Sequence, residues 1–364
     1  MLTVRFLSQS RRSLGRRGVK LALAAIVASA VGYGTSELAS NRQSAAPIAT
    51  LPTGPTEALQ VAGSLVVSPS GALYVADDKG DRILVRMPDG TFRDVAGDGT
   101  TGFSGDGGPA VRAELDAPAD LAYGAAGLYF VDGGRVRLIE PDGVLRTLAG
   151  NGEYQVLDAN GEPRTPIVAG DNALSVSLGS SPTIALGPSG ILYISTGQQL
   201  LRLSSAATFV PLRALVESGP LRGPARDMGP IAVDARGDID ISCIVGWSIS
   251  QDTPSGVMTN LGYARRSGGN CSVLEREPNG TVTGEDGSTI LGVEHGGLVP
   301  LFTFPGVPQP PYGNLFWLAN YAFGTDGTIY ADEISGDTGF EQRQLLVAVK
   351  RGRLTNLWEQ PAPG

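Results

Sequence analysis

The chain has 364 residues, 41% of them hydrophobic, which excludes wholesale disorder and leaves room for two ordinary domains or one large ring-like one. A formal charge of -8 and a pI near 4.8 exclude a nucleic-acid partner, which requires clustered Lys and Arg. With Gly 51 and Pro 25, the chain has punctuation for many short strands.

The N-terminus reads as a targeting segment. Arg11, Arg12, Arg16, Arg17 and Lys20 form a basic region, and no acid precedes Glu37. Leu21 to Gly34 is uncharged and Ala-rich, and shorter than the roughly 20 residues of a membrane-spanning helix. This pattern predicts a signal peptide, with Ala28-Ser29-Ala30 as a small-residue cleavage site, or else an uncleaved anchor with its basic flank inside. Ser10 to Leu14, with Arg11 and Arg12, resembles a twin-arginine export signal. Residues 1–34 are therefore set apart, 35–56 read as a flexible linker, and 57–364 as the folded body. The protein is expected to be extracytoplasmic, secreted or membrane-anchored, with the membrane touched only through an uncleaved N-terminal segment.

From residue 57 the chain repeats one frame. Leu65 to Val75 is an apolar run, a tight turn ending on Gly71, and a second apolar run; Ile184 to Ile194 repeats it around Gly190 without a gap. Leu121 to Phe130, Ile231 to Ile241 and Tyr321 to Ala331 follow the same frame. A second hairpin turns on Pro88-Asp89-Gly90 and Pro141-Asp142-Gly143, and the run Leu274 to Val282 around Pro278-Asn279-Gly280 reads as another; Pro followed by Asp-Gly or Asn-Gly is strong turn chemistry. Two hairpins per copy make a four-stranded antiparallel sheet. Its strands are mostly apolar on both faces, so sheets of this kind stack radially as β-propeller blades. The frame glycines 71, 127, 190, 237 and 327 leave a last interval of nearly double length. Thr281 to Leu291 fills it as a degenerate sixth copy. The expectation is an all-β propeller of six blades, with five plus an insertion as the alternative.

A phrase also recurs between copies: Val61-Ala-Gly63, Val95-Ala-Gly97, Leu148-Ala-Gly150 and Val168-Ala-Gly170. Leu73 to Ile83, followed by Val95 to Ala110 with its Gly105-Asp-Gly-Gly-Pro-Ala110 linker, resembles the NHL-repeat family of β-propellers, in the exported bacterial variety with teneurin-like linkers between blades. The resemblance implies a ring used mainly for binding, with a linker that carries the chain from one blade's outer edge to the next blade's inner strand. Gly80-Asp81 stands where the family usually has Asn-His.

Chemistry-bearing residues are few. The lone histidine, His295, sits beside Gly296-Gly297 and reads as a loop residue. Asp98 and Asp106 invite a calcium reading, but their spacing does not match a calcium loop. Asp77, Asp132 and Asp332 each follow an apolar run read as an inner strand. The favoured reading is that each accepts backbone N–H bonds in its own turn or pairs with an Arg; the alternative is that acids at equivalent places ring one mouth of the channel and hold a metal, calcium foremost. Cys243 and Cys271 are the only cysteines, and in an exported chain they are expected to form a disulfide worth roughly 3–4 kcal/mol. Trp247, Tyr263, Arg265 and Arg266 lie in what reads as an irregular excursion and are the candidate ligand contacts. The sequons at Asn270 and Asn279 are read as chance. The function expected is a non-catalytic propeller without a cofactor, binding a protein or cell-envelope ligand; the alternative is a calcium-dependent hydrolase or lyase with acids around the channel.

Overall fold

A computed structural model describes residues 58–153, 165–214, 229–242, 248–252, 258–263, 274–276, 282–286, 289–294, 297–304, 315–336 and 343–360. Residues 45–364 form one compact unit. Among the described residues, six four-stranded antiparallel sheets follow one another along it. The first is β1 (Ala62–Val67), β2 (Leu73–Asp77), β3 (Arg82–Arg86) and β4 (Phe92–Ala96). The second is β5 (Ala119–Gly124), β6 (Gly127–Asp132), β7 (Arg135–Ile139) and β8 (Leu145–Ala149). The third runs through β9 (Thr183–Leu186), β10 (Leu192–Ser195), β11 (Gln199–Leu203) and β12 (Phe209–Ala214). The fourth is β13 (Ile231–Val233), β14 (Ile239–Ser242), β15 (Ser248–Asp252) and β16 (Met258–Tyr263). Then come β17 (Leu274–Arg276), β18 (Val282–Asp286), β19 (Thr289–Glu294) and β20 (Gly297–Thr303). The last sheet is β21 (Leu315–Phe323), β22 (Ile329–Gly336), β23 (Arg343–Lys350) and β24 (Arg353–Glu359).

The first strands β1, β5, β9, β13, β17 and β21 neighbour one another in cyclic order, and β21 packs back on β1. The fold is a β-propeller whose blades each place their first strand at the centre. Its core lies between blades. Tyr74, Val85, Leu121 and Phe130 form one cluster across blades one and two, and Val136, Ile184, Ile194 and Phe209 another across two and three. Leu65 and Val75 meet Ala322 and Leu346 across the junction of the first and last blades. Burial on both faces explains why the strands read as continuous apolar runs instead of alternating ones.

Two parts of the sequence reading change. The Pro278-Asn279-Gly280 segment lies between β17 and β18, which pair Leu274 with Gly284 and Arg276 with Val282, so it belongs to the first hairpin of the fifth sheet, not to the outer hairpin of the fourth. The fourth blade's outer hairpin is instead β15 with β16, within the stretch taken as an excursion. Its Ser-, Gln- and Thr-rich strands lack the Pro-Asp-Gly turn that marked the first two blades.

The glycine-rich linker is the joint between blades. After β4, Gly97 N–H donates to Ala110 O (3.0 Å) and Asp98 N–H to Ala113 O (2.9 Å), folding the linker on itself. It then pairs with the outer strand of the blade ahead: Gly107 N–H donates to Leu145 O (2.8 Å), Leu145 N–H to Gly108 O (3.0 Å) and Ala110 N–H to Gly143 O (2.9 Å). The next linker repeats this with Gly170, Asp171 and Ala173 against Ala207 and Phe209. Gly97 has φ +88, and a Cβ there would stand 2.2 Å from Asp81 O. Gly97→Ala is expected to cost well over the roughly 1–2 kcal/mol of a left-handed conformation alone, read as a lower urea midpoint.

The ring is closed by side chains, because every sheet is built from consecutive strands. Gln344 on β23 accepts from Ala62 N–H (2.9 Å) and donates to Ala62 O (2.5 Å) and to Asp332 Oδ2 (2.8 Å). Gln344→Ala strips partners from buried backbone groups at the one place where first and last blades meet. A loss of about 2–4 kcal/mol in urea unfolding is expected, on desolvation costs of roughly 1–3 kcal/mol per orphaned group.

Candidate functional site

Asp77, Asp132 and Asp332 lie on the second strands of blades one, two and six, so they stand one strand out from the channel. Asp77 ends β2 and is 1% exposed. Its carboxylate accepts from the N–H groups of Gln60 (2.8 Å), Val61 (3.1 Å) and Gly80 (3.0 Å). Asp132 ends β6 and accepts from Asp116 N–H (2.6 Å) and Arg137 Nη1 (2.8 Å). Both acids fasten the chain entering their own blade to its second strand. Burial pushes both carboxyls above the usual range, opposed by those hydrogen bonds. Asp332 lies inside β22, one place earlier in the repeat frame, and strand alternation turns it to the other face, where it meets Gln344. Among the described residues no three His, Cys, Asp or Glu side chains gather as a metal site.

The linker acids are likewise engaged. Asp98 Oδ1 accepts from Thr100 N–H (2.8 Å), while Asp106 takes Arg137 Nη2 (2.9 Å) on one oxygen and Thr147 N–H (3.1 Å) on the other. Arg137 is fully buried and also donates to Ser104 O (2.6 Å), so one guanidinium ties blade two's third strand to Asp132 and to the linker. Phe103 lies 45% exposed over this centre, its ring 3.7 Å from the Arg135 guanidinium and 4.7 Å from that of Arg137. Asp81 reaches across the same joint, accepting from Thr101 Oγ1 (2.5 Å) and Ala117 N–H (2.9 Å). Asp81 thus supplies a blade-to-blade contact.

Nearer the axis is a polar belt that the motif reading missed. Ser64 Oγ on β1 accepts from Leu121 N–H of β5 (2.8 Å), and Asp120 on β5 accepts from Ile184 N–H of β9. Thr183 on β9 donates to Gly229 O at the start of blade four (3.5 Å). Register shifts in β1 and β5 at these residues turn the side chains toward the next blade. Asp120 holds φ +49 and no charged group among the described residues acts on it, so burial raises its carboxyl to about 7. The sequence signal was available: Ser64, Asp120 and Thr183 each stand immediately before the first apolar residue of their frame.

A fully buried acid is Asp240 on β14, at the place held by Tyr74, Tyr129 and Tyr193 in the first three blades. Its Oδ1 accepts from Gln251 Nε2 (3.2 Å), Oδ2 has no hydrogen-bond partner among the described residues, and burial pushes the carboxyl to about 7.

Tyr263 closes β16, paired with Ser248. Trp247, Arg265, Arg266, Cys243, Cys271, His295 and the two sequon asparagines lie outside the described residues. Among the described residues no helix is long and apolar enough to cross a membrane.

No family model matches the chain, and no curated protein matches it. Solved structures do. A streptogramin B lyase is similar with TM-score 0.48 and 12% identity, over 82% of this chain and 84% of its own. A gluconolactonase from Xanthomonas campestris is similar with TM-score 0.45 and 12% identity, over 75% and 84%. The extracellular domain of a hybrid two-component system from B. thetaiotaomicron is similar with TM-score 0.46 and 10% identity, over 82% and 33%.

Proposed function

We propose that this is an exported, NHL-like propeller that binds a protein or cell-envelope ligand on one face and carries out no chemistry of its own. The observation that carries the reading is the engagement of the acids. Asp77, Asp132, Asp98 and Asp106 spend their oxygens on backbone N–H groups and Arg137, as structural acids do. Loss of residues 1–34 would remove Arg5, Arg11, Arg12, Arg16, Arg17 and Lys20 but no acid, leaving a body more acidic than the whole chain's -8. That balance favours a neutral or basic ligand over an anionic polymer. The contacts assigned to it are Trp247, Tyr263, Arg265 and Arg266.

The test pairs metal analysis with sedimentation. Purified full-length protein is expected to hold less than one equivalent of metal and to melt at the same temperature with and without EDTA. It should co-sediment with isolated envelope fragments, and Trp247→Ala with Arg265→Ala should weaken this at least tenfold. One tightly held calcium per chain, with a melting point lowered by EDTA, would overturn the reading in favour of a calcium-dependent hydrolase or lyase.

A further inference from the structure

We propose that Asn151-Gly152 is a self-modification site, at which the folded chain converts the Asn151 amide to an aspartyl or isoaspartyl carboxylate with the help of Glu153. This is a reaction the chain undergoes, not one it performs on a ligand, so the inference stands apart from the binding function.

The site lies in the joint between blades two and three, and packing dictates half of it. Residue 152 has to be glycine: its φ is +78, and a Cβ there would stand 2.1 Å from the central carbon of the Arg135 guanidinium. The joint after blade one has the same restriction, since a Cβ on Gly99 would stand 2.4 Å from Arg82 Nη2. Each arginine also holds the residue ahead of the glycine by its carbonyl. Arg82 Nη2 donates to Asp98 O (3.1 Å) and Arg135 Nη2 to Asn151 O (2.8 Å). Packing thus demands glycine second at both joints, and the sequence puts Asp before one and Asn before the other. Asn before Gly is the reactive pair, because a glycine nitrogen has no neighbouring side chain to hinder its approach to the Asn Cγ.

The surroundings hold the reacting atoms in place. Gly150 N–H donates to Ala173 O (2.8 Å), Asn151 N–H to Val176 O (2.9 Å), and Ser177 Oγ to Glu153 O (2.6 Å), which pins the backbone on both sides of Gly152. Within that frame Glu153 grips both polar atoms of the Asn151 side chain. Asn151 Oδ1 accepts from Glu153 N–H (2.9 Å), and Asn151 Nδ2 donates to Glu153 Oε2 (3.0 Å). Asn151 and Gly152 are half-buried and Glu153 is exposed, so water can enter and ammonia can leave.

The steps balance with water as the only co-reactant. Gly152 N loses its proton to solvent and its electron pair forms a bond to Asn151 Cγ. The negative charge passes to Oδ1, where the Glu153 N–H stabilises it as an oxyanion donor does. As the carbonyl re-forms, the Cγ–Nδ2 bond breaks, and Nδ2 takes a proton relayed from water by the Glu153 carboxylate and leaves as ammonia. Water then opens the succinimide ring. Attack at Cγ gives aspartate, and attack at the backbone carbonyl carbon gives isoaspartate, with the main chain running through Cγ. The aspartate is a residue the fold already accommodates at the equivalent place, since Asp98 Oδ1 accepts from Thr100 N–H (2.8 Å) as Asn151 Oδ1 does from Glu153 N–H. Thr100 is neutral, however, so conversion at Asn151 sets two carboxylates against each other where an amide and a carboxylate were bonded. Isoaspartate also adds one main-chain atom inside the pinned segment. Both products loosen the joint.

Peptide mapping of the full-length protein tests this, by following the conversion of amide to acid in the tryptic fragment 147–164 during incubation in neutral buffer with and without denaturing urea. The fragment also carries Asn160-Gly161-Glu162, the same triplet, which serves in urea as a reference for the rate set by local sequence alone. In urea Asn151 and Asn160 should convert at the same rate. In the folded protein Asn151 is expected to convert at least as fast as it does in urea. Glu153→Gln, which keeps the backbone N–H but loses the carboxylate, should slow the folded reaction about tenfold and leave the rate in urea unchanged. Slower conversion of Asn151 in the folded chain than in urea overturns the proposal. So does a Glu153→Gln effect that is absent, or equal in the two conditions, since the assistance would then owe nothing to the fold.

Discussion

Arg137→Met should destabilise the propeller by about 3–5 kcal/mol, the cost of removing one partner from a buried ion pair. The guanidinium is 0% exposed and its Asp132 partner 1% exposed, at 2.8 Å, so the substitution leaves a carboxylate in the interior with Asp116 N–H as its remaining hydrogen-bond donor. The other acid on Arg137, Asp106, is 46% exposed and returns to water at little cost. The loss should therefore follow Asp132. Adding Asp132→Asn to Arg137→Met is expected to recover a large part of it, and urea unfolding of the four proteins of the cycle gives the coupling directly. The same cycle bears on function. If Asp132 served a metal, removing Arg137 would free an oxygen and raise metal affinity. If its role is to hold the incoming chain, the cycle moves stability and leaves metal content unchanged.

How far the sequence reveals this molecule depends on which interaction places each residue. The blades were legible because Pro-Asp-Gly and Ser-Gly turns act locally and leave a fixed spacing, as at Gly71, Gly90 and Gly143. The linker's role was legible because its glycines recur before a repeating frame. The outer hairpin of blade four was passed over although Pro254-Ser255-Gly256 stands between its strands, because the strands Ser248–Asp252 and Met258–Tyr263 are polar and are defined by pairing with each other and with β14. Asp332 shows the limit of reading acids by proximity to a strand end. One place of difference in the frame sends its side chain to the opposite face from that of Asp77. Asp240 and Gln344 were overlooked for another reason. Their partners, Gln251 on the next strand and Ala62 at the far end of the chain, are fixed by tertiary register that no local pattern encodes. In Asp240 the clue was a polar residue standing where four other copies of the frame carry Tyr.

Asp120 and Asp240 should make the propeller less stable as pH rises from about 4 to about 7. Burial raises both carboxyls to about 7, against an ordinary value of 3.8 that applies once the chain unfolds. Below pH 3.8 each group is protonated in both states. Between 3.8 and 7 the unfolded chain sheds the proton while the folded one keeps it, so deprotonation favours unfolding. Above 7 both states are charged and the dependence ends. The slope has a ceiling of about 1.4 kcal/mol per pH unit for each group, and solvent access to the partly exposed Asp120 lowers its share. Asp326, paired with Lys350 at 2.5 Å, has the opposite sign, since its carboxyl is lowered to about 2; its stabilisation disappears only as pH falls below about 4. The two windows do not overlap, so these three groups together favour the fold most near pH 4–5 and less toward neutrality. Asp240→Asn keeps an oxygen for the Gln251 amide and removes the ionisation. It should raise the melting temperature at pH 7.5, leave it unchanged near pH 4.5, and flatten the decline between them; a variant whose profile runs parallel to the native one would show that Asp240 is already ionised in the fold.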